Sequence, residues 1–478
     1  MKKLFHILFT VLFLAACLVP GLGLTLLGPA SPGGNETAVP APALTRPDGS
    51  FNVEFLSDAA NWFSRSFGFR QELITLDAGL KVGLFRTSPQ SLVALGEGDW
   101  LYYAETLDDY TGADVLSDRQ AYCIARNLRL AQDYAQSQGA EFAFTIAPNK
   151  ASVYPEHLSL PPAEVEYVSP AVEALRQQEV NYADLFGPLR SVEGEDLYFT
   201  LDSHWTNRGA ALGHDVLLKA LGLPAGNAFD KSGGYQPVHR GDLHEMLYPA
   251  SSRLDQEFVF DPPLAFTYAR PIRDVDDLRI ETTSAAENGP LLMFRDSFGN
   301  ALHSLMAESF SSARFSRAVP YDMGQIGELG AEYVVVEIVE RNLPLLADGP
   351  FLMLAQELEE SPWEGESIPI EDLKLEEVGS VKTESSGQYR KVTATIGIAC
   401  DTDSPVYLVT FSGTASTTLP LTFWEAQPTC LSEKATSCTA YFPAEAQLER
   451  GFYMAFRKDG QWRMARTEEA DVLSGEEG

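Results

Sequence analysis

Basic residues are scarce in this chain. Its 35 lysines and arginines face 67 acidic residues, a formal net charge of −32. No basic stripe is available to displace the counterions of a phosphate backbone, which excludes nucleic acid as a partner. The same shortage disfavours anionic lipid on the folded surface. It points away from an acidic polysaccharide and towards a neutral or weakly charged one, although solubility alone accounts equally well for acidic composition. Cysteine is sparse too, five residues in 478 with no CxxC pair, so a zinc ribbon is excluded. Cys430 and Cys438 flank a short polar loop and suit a local disulfide in an oxidising compartment. Cys123 and Cys400 read as buried in a helix and a strand. No Asp or Glu precedes Glu36. Lys2 and Lys3 are followed by an apolar stretch from Leu4 to Leu27, long enough to span a bilayer, and the two lysines place everything after it outside the cytoplasm. Pro20, Gly21 and Gly23 interrupt its second half. Leu14-Ala15-Ala16-Cys17 has the form of a lipobox. An uncleaved anchor, a lipoprotein acylated at Cys17 and a cleaved secretion signal therefore all remain open, and each exports the rest of the chain.

A chain of 478 residues has room for two folded domains. After the anchor or signal (1–27) comes a Pro/Gly/Ala/Thr-rich linker (28–50). Residues 51–360 carry helical and strand patterns in alternation. A capping box at Ser117 and Gln120 starts a helix that stops at Gly139. Strands are expected at 141–147, 180–183 and 333–339, and a helix at 207–221. Near-continuous apolar strands between helices predict an α/β domain, a parallel sheet covered on both faces. Residues 361–378 form an acidic linker. Residues 379–470 change texture to short strands between turns and predict a small β-sandwich-like accessory domain. The tail is acidic.

Two stretches carry chemistry. Asp202-Ser203-His204-Trp205 places a carboxylate two residues before an imidazole, and an i, i+2 pair in extended backbone shares one face. A carboxylate that orients an imidazole is the base half of a nucleophilic triad. The hydroxyl is offered by Pro290-Leu291-Leu292-Met293-Phe294-Arg295-Asp296-Ser297-Phe298-Gly299-Asn300, which reads as buried strand, sharp turn and helix start, a setting that lifts a serine towards helix amides. Asp202, His204 and Ser297 are the expected catalytic residues; the same Asp296-Ser297 pair also suits a helix cap. Asn149 and Lys150 follow a strand, where they would donate to an oxyanion or orient substrate, or simply cap a turn. Asn300 is a second candidate donor. Trp205 either stacks on a sugar or packs. The 239–245 stretch, His-Arg-Gly-Asp-Leu-His-Glu, reads as a wall of the cleft more readily than as metal ligands, and no metal is expected. Glu337 and Arg341 read as an internal ion pair.

These stretches resemble a known family. Asp202-Ser203-His204-Trp205-Thr206 with Gly209-Ala210, and Arg295-Asp296-Ser297-Phe298, resemble the signatures of the alginate O-acetyltransferase (AlgJ/AlgX-type) family, of DHHW proteins and of SGNH hydrolases. Phe67-Gly68-Phe69-Arg70, Pro148-Asn149-Lys150, Tyr154-Pro155-Glu156 and Gly241-Asp242-Leu243 fit in order. Ser203 stands where the DHHW pattern has His, and Arg295 where the serine block has Gly. The resemblance implies an SGNH hydrolase-like domain and an extracytoplasmic serine O-acetyltransferase acting on a cell-surface polysaccharide. It implies no cofactor in this chain, with acetyl delivered from outside by a membrane-bound O-acyltransferase partner. A carbohydrate acetylesterase uses the same triad with water as acceptor. A non-catalytic glycan-binding or assembly protein is the reading from a different class.

Overall fold

The computed structural model describes residues 2–31, 33, 37–224, 226–360, 362, 375–411, 421–430, 432, 434–446 and 452–469. Most of the expected acidic linker, and the tail beyond residue 469, lie outside them.

A seven-stranded sheet organises the first domain. Its strands are β1 (Glu141–Ala147), β2 (Tyr182–Ala183), β3 (Thr267–Tyr268), β4 (Arg279–Thr283), β5 (Leu291–Phe294), β6 (Ser312–Ser316) and β7 (Tyr333–Val339), in the order β2-β1-β7-β5-β6-β4-β3. The run from β2 to β6 is parallel, and β4 and β3 close the far edge antiparallel. Every residue of β5, and all but the first of β1 and β7, is buried, the pattern of strands covered on both faces. On one face, Ala143, Met293 and Val335 pack with Leu217 of the helix Asn207–Ala220 and Leu302 of the helix Gly299–Ser309. On the other, Phe142, Phe144 and Val334 pack with Leu128 of the helix Asp118–Ser137 and Leu175 of the helix Ser169–Gln177. The capping box at Ser117 and Gln120 is present. Gly139 takes φ +81°, the left-handed conformation that ends a helix without a Cβ penalty.

The C-terminal β-rich domain is built on one eight-stranded sheet. Its first strand starts at Leu375, inside the stretch expected as linker. Bridges Leu354↔Tyr441 and Glu357↔Trp424 tie the end of the first domain to it. It docks on the helix Asp118–Ser137, away from the helix Gly299–Ser309. Arg126 pairs with Glu425 at 2.7 Å, and Asn127 Nδ2 donates to the carbonyls of Leu346 (2.8 Å) and Pro428 (3.1 Å). The expected Cys430–Cys438 bridge is absent. Cys438 is buried, whereas Cys430 Sγ faces Cys123 Sγ at 3.1 Å as a free thiol pair. The local spacing of Cys430 and Cys438 had to yield to the pairing of their strands with the rest of the domain. At the other end of the chain, Lys2–Leu27 forms one helix, long and apolar enough to cross a membrane. The Ala16 and Cys17 side chains are outside the described residues.

Candidate active site

The parallel strands deliver their C-terminal ends to one edge, where such sheets hold ligands. β1 ends at Ala147, just before Asn149, β5 at Phe294, just before Ser297, and β7 at Val339, just before Glu340. Asp202 and His204 arrive differently. They sit on a tight loop closed by a bridge between Tyr198 and Trp205, not on an extended strand. The loop still turns both side chains the same way, because the Asp202 carboxylate accepts from the His204 amide at 2.9 Å. Thr206 then caps the next helix.

The structure brings the three expected residues into one relay. Asp202 Oδ1 lies 2.7 Å from His204 Nδ1, and His204 Nε2 lies 2.9 Å from Ser297 Oγ. The Asp202 side chain is 4% exposed, while His204 keeps 25% open to solvent. Burial alone would raise the Asp202 carboxyl. Hydrogen bonds from His204 and His239, and their charge, more than reverse this and hold it well below the usual carboxylate range. Burial alone would lower the His204 imidazole. The Asp202 hydrogen bond, with the charges of Asp202 and Asp242, raises it above its ordinary value instead.

The second oxygen of Asp202 is fixed by residues outside the three. His239 Nε2 contacts Oδ2 at 2.8 Å, and the Asp242 amide donates to it at 2.9 Å. His239 ends an antiparallel ribbon, Gly233–His239 against Asp255–Phe260, and its ring stacks on Phe199 at 3.8 Å. Asp242 accepts from the Ser203 hydroxyl (2.7 Å) and amide (2.9 Å). Ser203, the departure from the DHHW pattern, thereby pins the loop between the two key residues. Asp202, His204 and Asp242 lie close enough together to share a cation. Their facing atoms are taken up by these hydrogen bonds.

The serine turn is braced from below. Asp296 accepts from the amides of Phe298 (2.9 Å) and Val339 (2.8 Å) and from Asn342 Nδ2 (3.2 Å). Glu337 is fully buried under it and accepts the Asp296 amide at 3.2 Å. Burial, then the charge of Asp296, push Glu337 well above the usual carboxyl range. Among the described residues it makes no ion pair with Arg341. Arg341 instead donates to Asn149 Oδ1 at 3.3 Å and lies over the Tyr103 and Phe298 rings.

Several expected substrate contacts are structural. Lys150 is 3% exposed, and its ammonium donates to the carbonyls of Leu101 (2.7 Å), Thr200 (3.0 Å) and Asp202 (3.0 Å). Burial lowers it to about 7. Trp205 is 1% exposed and donates from Nε1 to the Phe298 carbonyl at 2.9 Å, so it packs under the site instead of stacking on a sugar. Arg295 is buried, with Nη2 on the Val275 carbonyl at 2.6 Å and Nη1 on Asn300 Oδ1. Asn300 Nδ2 donates to Asp276 at 2.9 Å, which holds one of its two hydrogens. Asn149 is different: its Nδ2 is buried and has no partner among the described residues.

The family model of the SGNH hydrolase-like domain of acetyltransferase AlgX matches residues 93–259, a span that holds Asn149, Asp202 and His204 and ends before Ser297. A probable alginate O-acetylase AlgJ of Pseudomonas putida is 27% identical over 164 residues, 32% of this chain and 42% of that protein. Among the curated relatives matched, 42% to 48% of their own length is covered. The solved O-acetyltransferase domain of Pseudomonas putida AlgJ is 20% identical, covering 53% of this chain and 92% of that one with a TM-score of 0.37. A solved DHHW family protein from Eubacterium siraeum is 15% identical, covering 45% of this chain and 85% of that one with a TM-score of 0.36. Residues 93–259 thus match the SGNH hydrolase-like domain of acetyltransferase AlgX, and part of the chain is similar to AlgJ proteins.

Proposed function

We propose that this protein is an extracytoplasmic O-acetyltransferase that passes an acetyl group to a cell-surface polysaccharide through an acyl-enzyme on Ser297. The observation that carries the reading is the unbroken relay from Asp202 Oδ1 through His204 to Ser297 Oγ, at 2.7 and 2.9 Å. Ser297 Oγ attacks the acyl carbonyl of the donor while His204 Nε2 takes its proton. The leaving group of the donor takes that proton as the tetrahedral intermediate collapses. A sugar hydroxyl then attacks the acyl carbon, gives its proton to His204, and Ser297 recovers it as the ester departs. Asp202 keeps the proton on Nδ1, so that Nε2 faces Ser297 as an acceptor. Charge on the carbonyl oxygen is met by the Ser297 amide at the head of the helix Gly299–Ser309 and by Asn149 Nδ2, whose lack of a protein partner fits that task.

Lys2–Leu27 supports tethering to the cell membrane as a signal anchor. The acetyl donor then comes from a membrane-bound O-acyltransferase partner, since acetyl-CoA does not reach that compartment freely. The test is mass spectrometry of the detergent-solubilised chain after exposure to an activated acetyl ester. A mass gain of one acetyl group on the Ser297 peptide, lost in Ser297→Ala together with ~10³-fold or more of ester turnover, is expected. Unchanged turnover in folded Ser297→Ala removes the serine from the mechanism.

A further inference from the structure

A cavity of about 410 Å³ lies beside the catalytic edge, lined among others by Asp109, Tyr110, Ser152, Tyr167, Arg190 and Glu340. That size falls in the usual range of ligand pockets, roughly 300–1,000 Å³. One carboxylate joins it to the site. Glu340 Oε2 accepts from Ser152 Oγ at 2.7 Å on the cavity wall and from the Asn149 amide at 2.8 Å. Arg341 forms a second link. It bonds Asn149, covers Phe298 next to Ser297, and its charge reaches both the His204 imidazole and the Asp109 carboxyl.

Two groups in the wall open on the cavity. Asp109 is 7% exposed and Tyr167 is 6% exposed, and neither is among the sealed polar groups without a partner. Polar groups that open on a cavity are satisfied by water, which the hydroxyls of a ligand can replace. Burial, with the charges of Asp114 and Asp108, lifts Asp109 to about 7. The charges then select the ligand. Asp109, Glu156, Glu166 and Glu340 all line the cavity, and Arg190 is its one basic residue among those described. Arg190 is already engaged, by Glu166 at 2.9 Å and by the Ser152 carbonyl at 2.7 Å. A carboxylate brought in by a uronic acid would meet acids with no free cation to offset them. Hydroxyls, or an ammonium, would meet acceptors.

We propose that this cavity is the acceptor subsite, and that it binds a short stretch of uncharged or amino sugar and rejects uronate. This rests on the reading of the chain as a glycan acetyltransferase. The full chain in detergent is titrated calorimetrically with N,N′-diacetylchitobiose, with its de-N-acetylated form and with digalacturonate. The first two bind, and digalacturonate binds at least ~10-fold more weakly. Asp109→Asn and Tyr167→Phe each weaken binding about 5- to 10-fold, the scale of one hydrogen bond, and leave turnover of a small acetyl ester within about two-fold. Equal affinity for digalacturonate, no binding of either chitobiose, or full affinity in both variants overturns the subsite. Sugar binding without acyl-enzyme formation counts against the function alone. Ester turnover without sugar binding counts against the subsite alone.

Discussion

Replacing Asp202 by Asn keeps the shape of the side chain and removes its charge. The native carboxylate is saturated with donors. Oδ1 takes the His204 amide (2.9 Å) and Nδ1 (2.7 Å), and Oδ2 takes His239 Nε2 (2.8 Å) and the Asp242 amide (2.9 Å). Asparagine has one acceptor oxygen, so its NH2 must face one of these donor pairs. Facing His204, it forces Nδ1 to accept, which moves the ring proton to Nε2 and leaves Ser297 without a base. Other triads lose on the order of 10²–10⁴ in rate by this change, or ~3–5 kcal/mol of barrier. The pH profile moves as well. His204 is held above its ordinary value, so its neutral form, and with it activity, appears only as pH rises through that raised value. Without the Asp202 charge the acid limb moves to lower pH. The assay is turnover of an activated acetyl ester across the pH range, with circular dichroism to verify folding. An unchanged rate with an unchanged acid limb refutes the role given to Asp202, and with it the relay.

Asn149→Ala should cost roughly 10²–10³ in ester turnover while the fold is retained, the scale of one oxyanion donor; a loss below about three-fold would remove Asn149 from the oxyanion site. Lys150→Met should act on stability. It leaves three buried carbonyls without their donor, worth about 2–4 kcal/mol in urea unfolding, and an unchanged midpoint would contradict the burial of the ammonium.

What could be read in advance follows from how local each signal is. Asp202, His204 and Ser297 stand out because each is tied to its own neighbours: a carboxylate two residues from an imidazole, and a strand that runs straight into a turn and a helix. β1 and β7 announce themselves as near-continuous apolar runs, broken only by Thr145 and Glu337 after their first residues. His239 and Asp242 are marked only as part of a polar stretch, 239–245, that suits a cleft wall, with no sign of which atom they hold. The strand that ends at His239, Gly233–His239, is mostly exposed and has no alternating pattern, and only its pairing with Asp255–Phe260 brings His239 to Asp202. Lys150 was expected to meet substrate because it follows a strand at the right edge. Its burial is decided by Trp100 and Tyr102, whose rings lie 4.7 and 5.2 Å from the ammonium and which come fifty residues earlier. The β-rich domain shows alternating burial in Tyr389–Ile396, but whether its strands form one sheet or two depends on pairing between distant segments.

A second Ser-His-Asp array in the same domain shows what geometry alone leaves out. Ser309 Oγ lies 2.7 Å from His214 Nε2, and His214 Nδ1 lies 2.9 Å from Asp215 Oδ1. Ser297 and Ser309 flank the same helix, Gly299–Ser309. Ser297 precedes its N-terminus, where free amides and the positive end of the dipole favour a developing oxyanion. Ser309 is its last residue, where carbonyls face outward and the dipole opposes negative charge. Its hydroxyl already leans on the Leu305 carbonyl at 3.1 Å. His214 is 4% exposed, against the quarter of His204 left open to substrate. Asp215 is spent on the amides of Ala228 (2.9 Å) and Phe229 (3.0 Å). This array ties the helix Asn207–Ala220 to the loop after it and to the end of the neighbouring helix. Ser309→Ala should therefore leave ester turnover within about two-fold and cost ~1 kcal/mol of stability, the scale of one hydrogen bond. If it lowered turnover as far as Ser297→Ala, the polarity of the helix would not be what separates the two serines, and the assignment of the nucleophile would have to move.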